Sequence, residues 1–246
     1  MTSPSPPNPE EDLPLPFPGR TGRGVRIAVI DSGVNERHPH IGRIAGGVSI
    51  GPNGEIEEDA YVDMLGHGTA VMAAILEKAP EAEYFAVKLF QNSLRSTADR
   101  LIQALEWAID NRMRVINLSL GTHNPAHAER FAATAERAAQ QGVLLVSARE
   151  SGGEPCWPGC LPGVVRVDLD WECNRNRYRC EEAAGGFRVF ASGYPRSLPG
   201  MPRERNLNGI SFAVANMSGF VARACQDLPG QSTDAILKIL AVHEGE

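Results

Sequence analysis

The chain has 246 residues, 42% of them hydrophobic, which suits one large globular domain and is short for two. A formal charge of −6 and the lack of any long Lys/Arg run argue against a nucleic acid or an anionic membrane as the main partner. No apolar run approaches the length of a membrane span, and the first 24 residues lack the continuous apolar core of a signal peptide, so a cytoplasmic protein is expected.

Seven of the first 18 residues are proline, which fixes extended backbone and removes hydrogen-bond donors, so residues 1–24 are expected to be a flexible tail and residues 25–246 the folded domain. From Val25 the run "VRIAVI" reads as a buried strand ending at "DSG", which places Asp31 at its C-terminal end. "GHGTAVMAAILEKA" follows from Gly66 as a buried helix with His67 at its mouth. Next come a strand over Tyr84–Leu89 and an amphipathic helix with Leu101, Leu105, Ala108 and Ile109 at helical spacing. "RVINLSLG" (Arg114–Gly121) reads as a strand, Ala128–Gln141 as a helix stopped by Gly142, and "VLLVSA" from Val143 as a further strand. Alternating helices and near-continuous apolar strands predict an α/β fold, a mostly parallel sheet with helices on both faces. Sites in such folds form at the carboxyl ends of strands, where Asp31, His67, Ser119, Gly121 and Ser211 would all gather.

Ser211 lies in "NLNGISFAVANMSG", a polar stretch running into a small-residue helix pattern. From the residues alone two roles are open: a helix cap, or a nucleophile facing the positive end of the helix dipole. A serine hydroxyl becomes nucleophilic when an imidazole accepts its proton and a buried carboxylate fixes that imidazole, and His67 and Asp31 are of those types. His38 and His40 in "ERHPHIG" read as structural.

"VIDSGVNERHP", "GHGTAV", "VINLSLG" and "LNGISFA", in that order, resemble the subtilisin-like serine peptidases, the subtilases. The resemblance spans about residues 25–225 and implies a subtilisin-like α/β domain with Asp31, His67 and Ser211 as acid, base and nucleophile. It further implies that Ser119, Leu120 and Gly121 hold an extended polypeptide substrate, which adds a strand to them.

The sequence departs from the family where an Asn side chain normally donates to the oxyanion. "VSARESGG" places Glu150 there, with Arg149 and Ser151 beside it, and an ionised carboxylate accepts hydrogen bonds without donating any. Three rescues are open: a protonated Glu150, a donor from Arg149 or Ser151, or rearrangement of the loop on binding. Ile210 before the serine and Val214–Asn216 after it depart further from the family pattern. The resemblance thus leaves an intracellular endopeptidase, with activity lowered at this site, beside a pseudoprotease that binds peptides without cutting them. The Cys-bearing stretch after "VLLV" and the "GISFA" motif are also similar to small protease domains that process ribosomal natural-product precursors.

Cys156, Cys160, Cys173 and Cys180 lie in an insertion-like loop region of about residues 153–182, with Cys225 apart from them. Zinc ligation, two disulfides and free thiols are all open there. No cofactor is implied for the chemistry, a structural zinc or calcium has no supporting motif, and the oligomeric state is not readable.

Overall fold

The computed structural model describes residues 13–183 and 186–244. Seven strands form a parallel body: β1 (Arg26–Asp31), β2 (Gly46–Ile50), β4 (Glu83–Lys88), β5 (Val115–Leu118), β6 (Leu144–Ala148), β9 (Val165–Leu169) and β11 (Gly186–Ala191). Two antiparallel strands, β3 (Ile56–Glu58) and β10 (Tyr178–Ala183), complete the edges, giving the order β10-β11-β9-β6-β5-β1-β4-β2-β3. A small separate hairpin pairs β7 (Glu150–Ser151) with β8 (Glu154–Pro155). The connections are α1 (His67–Lys78), α2 (Ala98–Asp110), α3 (Ala128–Gln140), α4 (Ile210–Cys225) and α5 (Thr233–Val242).

The central strands β1, β4, β5 and β6 each feed two cores, because successive side chains point to opposite faces. On β1, Ile27 and Val29 join the core under α1, α4 and α5, whereas Ala28 and Ile30 join the core under α2 and α3. Burial on both faces explains why the central strands read as continuous apolar runs. α2 shows the local logic of the helices. Thr97 caps it by accepting from Arg100 N at 3.3 Å, and Leu101, Ala104, Leu105, Ala108 and Ile109 form its buried stripe. α4 is different, being buried along Phe212–Cys225, and it runs through the middle of one core.

The expected strand over Arg114–Gly121 stops at Leu118, and Ser119–Gly121 continue as irregular chain at the sheet's carboxyl end. Two expectations need larger correction. Residues 1–12 of the expected tail lie outside the described residues, but residues 13–24 are docked. Phe17 is 4% exposed in the core, and the buried Arg223 guanidinium donates to Pro16 O (2.7 Å), Phe17 O (2.9 Å) and Lys78 O (2.9 Å). Gln226 Oε1 accepts from Thr21 N (2.7 Å) and Gly22 N (3.0 Å), so backbone that proline leaves without a ladder is satisfied by side chains of α4 and its end. The region 153–182 is likewise no mere insertion. It contains β9, a parallel strand between β6 and β11, and the start of β10, and Arg175 pins it to Glu77 of α1.

Replacing Arg223 leaves three carbonyls without their donor in a dry core. Arg223→Ala is expected to lower the unfolding free energy by about 3 kcal/mol, read from the urea midpoint at constant m-value. An unchanged midpoint would mean that the N-terminal segment is not held this way.

Candidate active site

Asp31 ends β1 fully buried, with Oδ1 accepting from Ser32 N at 2.8 Å and sharing a 2.7 Å hydrogen bond with His67 Nδ1. His67 is the first residue of α1, so the bond joins the carboxyl end of a strand to the amino end of a helix. Gly68 lets those backbones meet, and Gly33 lets the turn after β1 pass against the backbone at Tyr61. A Cβ on Gly33 would lie 2.1 Å from Tyr61 O, and one on Gly68 would lie 2.3 Å from Gly33 O. Gly68 N then donates to Ser32 Oγ at 2.8 Å, fastening the "DSG" turn to the "GHG" helix start.

Asp63 braces the same helix start and was not singled out in the sequence. Its Oδ1 accepts from Leu65 N and Gly66 N, both at 2.9 Å, and its Oδ2 from Thr69 N (2.9 Å) and Thr69 Oγ1 (2.6 Å). Burial acts to raise the Asp63 pKa, but the Thr69 and backbone donors outweigh it and hold the carboxyl below its ordinary value. The D-x-x-G-H-G-T spacing is the signal that could have found it. Burial pulls the His67 pKa down, while the hydrogen bond and charge of Asp31, with Asp63 behind, pull it up; the net shift is upward from 6.5.

Ser211 is the second residue of α4, after a Gly209 N-cap that makes no side-chain capping bond. The capping alternative therefore fails, since the Ser211 hydroxyl donates instead to Ser119 O at 3.2 Å. Phe212 holds this helix mouth against the other one, its ring 5.7 Å from that of His67. Ser119 is fixed in turn by Asn117, whose Nδ2 donates to Ser119 Oγ at 2.9 Å while its Oδ1 accepts from Ser218 Oγ at 3.0 Å. Leu120 and Gly121 line an open cavity of about 530 Å³. Asp31, His67, Ser119 and Ser211 thus meet at one rim of the sheet. The structure brings the first pair into direct contact and the second pair into direct contact.

Glu150 shares a smaller cavity, of about 300 Å³, with Ile210 at the mouth of α4. Its carboxylate is ion-paired with Arg149 and its side chain is 40% exposed. Arg149 also grips Asp168 through Nε (2.8 Å) and Nη2 (2.7 Å), and Arg188 Nε reaches the same carboxylate at 2.9 Å.

A third cavity, of about 570 Å³, opens on the His67 side between Met64, Leu65, Leu207 and Met201, and His38 and His40 line it. His40 N donates to His38 Nδ1 at 3.2 Å. All five cysteines are unpaired. Among the described residues no three His, Cys, Asp or Glu side chains gather as a metal site.

Residues 22–152 match the Subtilase family. Over 231 residues the chain is 33% identical to subtilisin Savinase of Lederbergia lenta, an alignment covering 87% of this chain and 81% of that protein. It is also 33% identical to M-protease of Shouchella clausii (strain KSM-K16) over 87% of this chain, and 30% identical to subtilisin E of Bacillus subtilis (strain 168) over 83% of it. The chain spans only 57% and 56% of the lengths of those two relatives. A crystal structure of a cold adapted subtilisin-like serine proteinase superposes with a TM-score of 0.70 at 21% identity, covering 91% of this chain and 83% of that one, and so shares the fold. The chain belongs to the subtilase family.

Because Asp31 stabilises the imidazolium, the His67 proton should titrate above 6.5 by NMR, and Asp31→Asn should move that midpoint down. The sign for stability follows. The contribution of the charged pair is full below the unfolded-state pKa of about 6.5 and fades as pH rises through the higher folded value. A midpoint that does not move in Asp31→Asn would contradict the geometry.

Proposed function

We propose that this chain is a serine endopeptidase that cuts an extended polypeptide through an acyl-enzyme, with Ser211 as nucleophile, His67 as base and Asp31 as the orienting acid. The observation that carries the reading is the buried 2.7 Å bond between Asp31 and His67, at the rim that also holds Ser211. In the reaction the Ser211 hydroxyl turns from Ser119 O toward the imidazole, gives up its proton and attacks the scissile carbonyl carbon. His67, charged and held by Asp31, then protonates the departing amine, and water repeats the cycle on the ester. Ser119, Leu120 and Gly121 offer backbone to the acyl half of the substrate. The leaving half exits on the imidazole side, where the cavity between Met64 and Leu207 begins.

The oxyanion is the weak point. The Ser211 backbone N–H and the positive end of α4 face it, but Glu150 supplies no donor while ionised. In subtilisin, the worked case for such a donor, its loss costs roughly 10²–10³ in turnover, and that magnitude belongs to subtilisin and not to this chain. Activity lowered by this substitution fits a processing enzyme acting on few substrates. The rival reading, a pseudoprotease that only binds peptide, draws on the same Glu150 and on the bond from Ser211 to Ser119 O.

A fluorophosphonate reagent separates the two. Labelling of Ser211 that disappears in Ser211→Ala and drops sharply in His67→Ala is expected of the enzyme, and an inert hydroxyl would leave only the binding protein. Glu150→Asn is expected to raise kcat by about tenfold or more, and a loss of activity would show that Glu150 is itself useful.

An intracellular setting is part of the proposal, supported by the five unpaired thiols, because lasting disulfides belong to oxidising compartments. Among the described residues no helix is long and apolar enough to cross a membrane. Burial pushes the Cys156 and Cys173 thiols up to about 11, which suits inert side chains. Thiol titration of denatured protein purified without reductant should count all five cysteines, and a count of one would overturn this setting.

A further inference from the structure

At the end of the sheet opposite the Asp31–His67 pair lies a cleft of about 670 Å³, lined by Arg23, Arg26, Arg112 and Arg114 and by a single acid, Asp227. In a chain of formal charge −6, four guanidiniums against one carboxylate form a local reversal of sign. Arg23 and Arg26 approach from the start of β1, and Arg112 and Arg114 from the turn before β5, so the two walls are adjacent parallel strands at their amino ends.

The four are not equivalent. Arg114 is committed to the fold, donating to Gly142 O and Gln231 O (2.9 Å). Arg26 donates to Asn111 O at 2.7 Å, stacks over Phe85 at 4.6 Å and sits 3.8 Å from Glu83. Arg23 and Arg112 are exposed and, among the described residues, their guanidiniums have no hydrogen-bond or ion-pair partner. Arg112 also occupies a left-handed backbone position, φ 55°, where glycine or asparagine would fit with less strain. The back wall adds no negative charge, since burial pushes the Cys225 thiol up to about 11 against the opposing pull of Arg114 and Arg20.

We propose that this arginine cleft is an exosite for an acidic segment of the polypeptide substrate, Asp/Glu-rich and distant along that chain from the scissile bond. Guanidinium forks pair with carboxylates bidentately, and the cleft gathers guanidiniums from the amino ends of two adjacent strands, which suits several side-chain carboxylates of one extended peptide. β1 alone spans roughly 20 Å between the cleft and Asp31, so a substrate running round the molecule needs about ten or more residues between its acidic run and the bond that is cut. The identity of the ligand as substrate rests on the protease reading, whereas binding at the cleft does not.

The test therefore measures binding without turnover. A fluorescein-labelled peptide carrying a run of glutamates is titrated by anisotropy into the full chain bearing Ser211→Ala, at low and at high salt. Expected are saturable binding that weakens with salt, no comparable binding of the glutamine counterpart, and a loss of roughly tenfold or more in Arg23→Ala/Arg112→Ala. Both substitutions are at exposed positions, and the urea midpoint of the double variant checks its folding. Equal binding of the glutamine peptide, or full binding by the double variant, would overturn the exosite. Displacement by inorganic pyrophosphate that itself binds as tightly would overturn it too, in favour of a small-anion site. Fluorophosphonate labelling of the Arg23→Ala/Arg112→Ala chain with Ser211 intact is expected to be unchanged. A chain that binds the glutamate peptide but never labels would keep the exosite and remove the enzyme.

Discussion

A carboxylate taken fully out of water is unfavourable unless donors replace its hydration, and this fold is arranged around one such group. Asp31 sits at 0% exposure at the carboxyl end of a central strand, where Oδ1 draws donors from the backbone just beyond it and from a helix start brought in from outside, while Oδ2 has no hydrogen-bond partner among the described residues. His67 provides that second donor at 2.7 Å. The bond requires α1 to press its first turn against the chain after β1, and that approach requires a residue without a side chain at Gly68. Asp63 and Thr69 then lock the helix start in place.

The same demand explains the position of α4. A helix buried from Phe212 to Cys225 has little freedom to slide, so its first turn is delivered to the rim beside His67. Its far end is equally fixed, because Arg223 and Gln226 hold residues 16–22 by their backbone groups. The N-terminal segment thereby becomes part of the scaffold that sets where Ser211 stands. Proline-rich chain is suited to this, since it has few donors of its own and offers carbonyls to a guanidinium.

Charge is distributed between the two ends of the sheet in a way that fits a polypeptide ligand. The rim with Ser211 carries the Arg149–Glu150–Asp168–Arg188 network, in which cations and anions are matched. The opposite end carries guanidiniums in excess. In a molecule acidic overall, the guanidiniums of this cleft can guide an acidic chain toward it.

Much of this was legible in the sequence. Two-faced burial makes a central parallel strand a continuous apolar run, so β1, β4, β5 and β6 were visible, and helical spacing exposed α2 and α3. Short ordered motifs placed Asp31 at a strand end and His67 and Ser211 at helix starts, because such points announce themselves through glycine and polar residues. What lacked a local signal was whatever depends on partners far along the chain. β9 hid among cysteines and prolines, and residues 13–24 read as a tail, since a docked proline segment and a free one have the same composition. Only tertiary structure decided that the Ser211 hydroxyl bonds Ser119 O, that Arg149 reaches Asp168 on β9, and that arginines from residues 23–26 and 112–114 share one cleft. The physical reason is common to all three: periodicity and caps are set within a few residues, while the partner of a charge or a hydroxyl is set by how strands are ordered in the sheet.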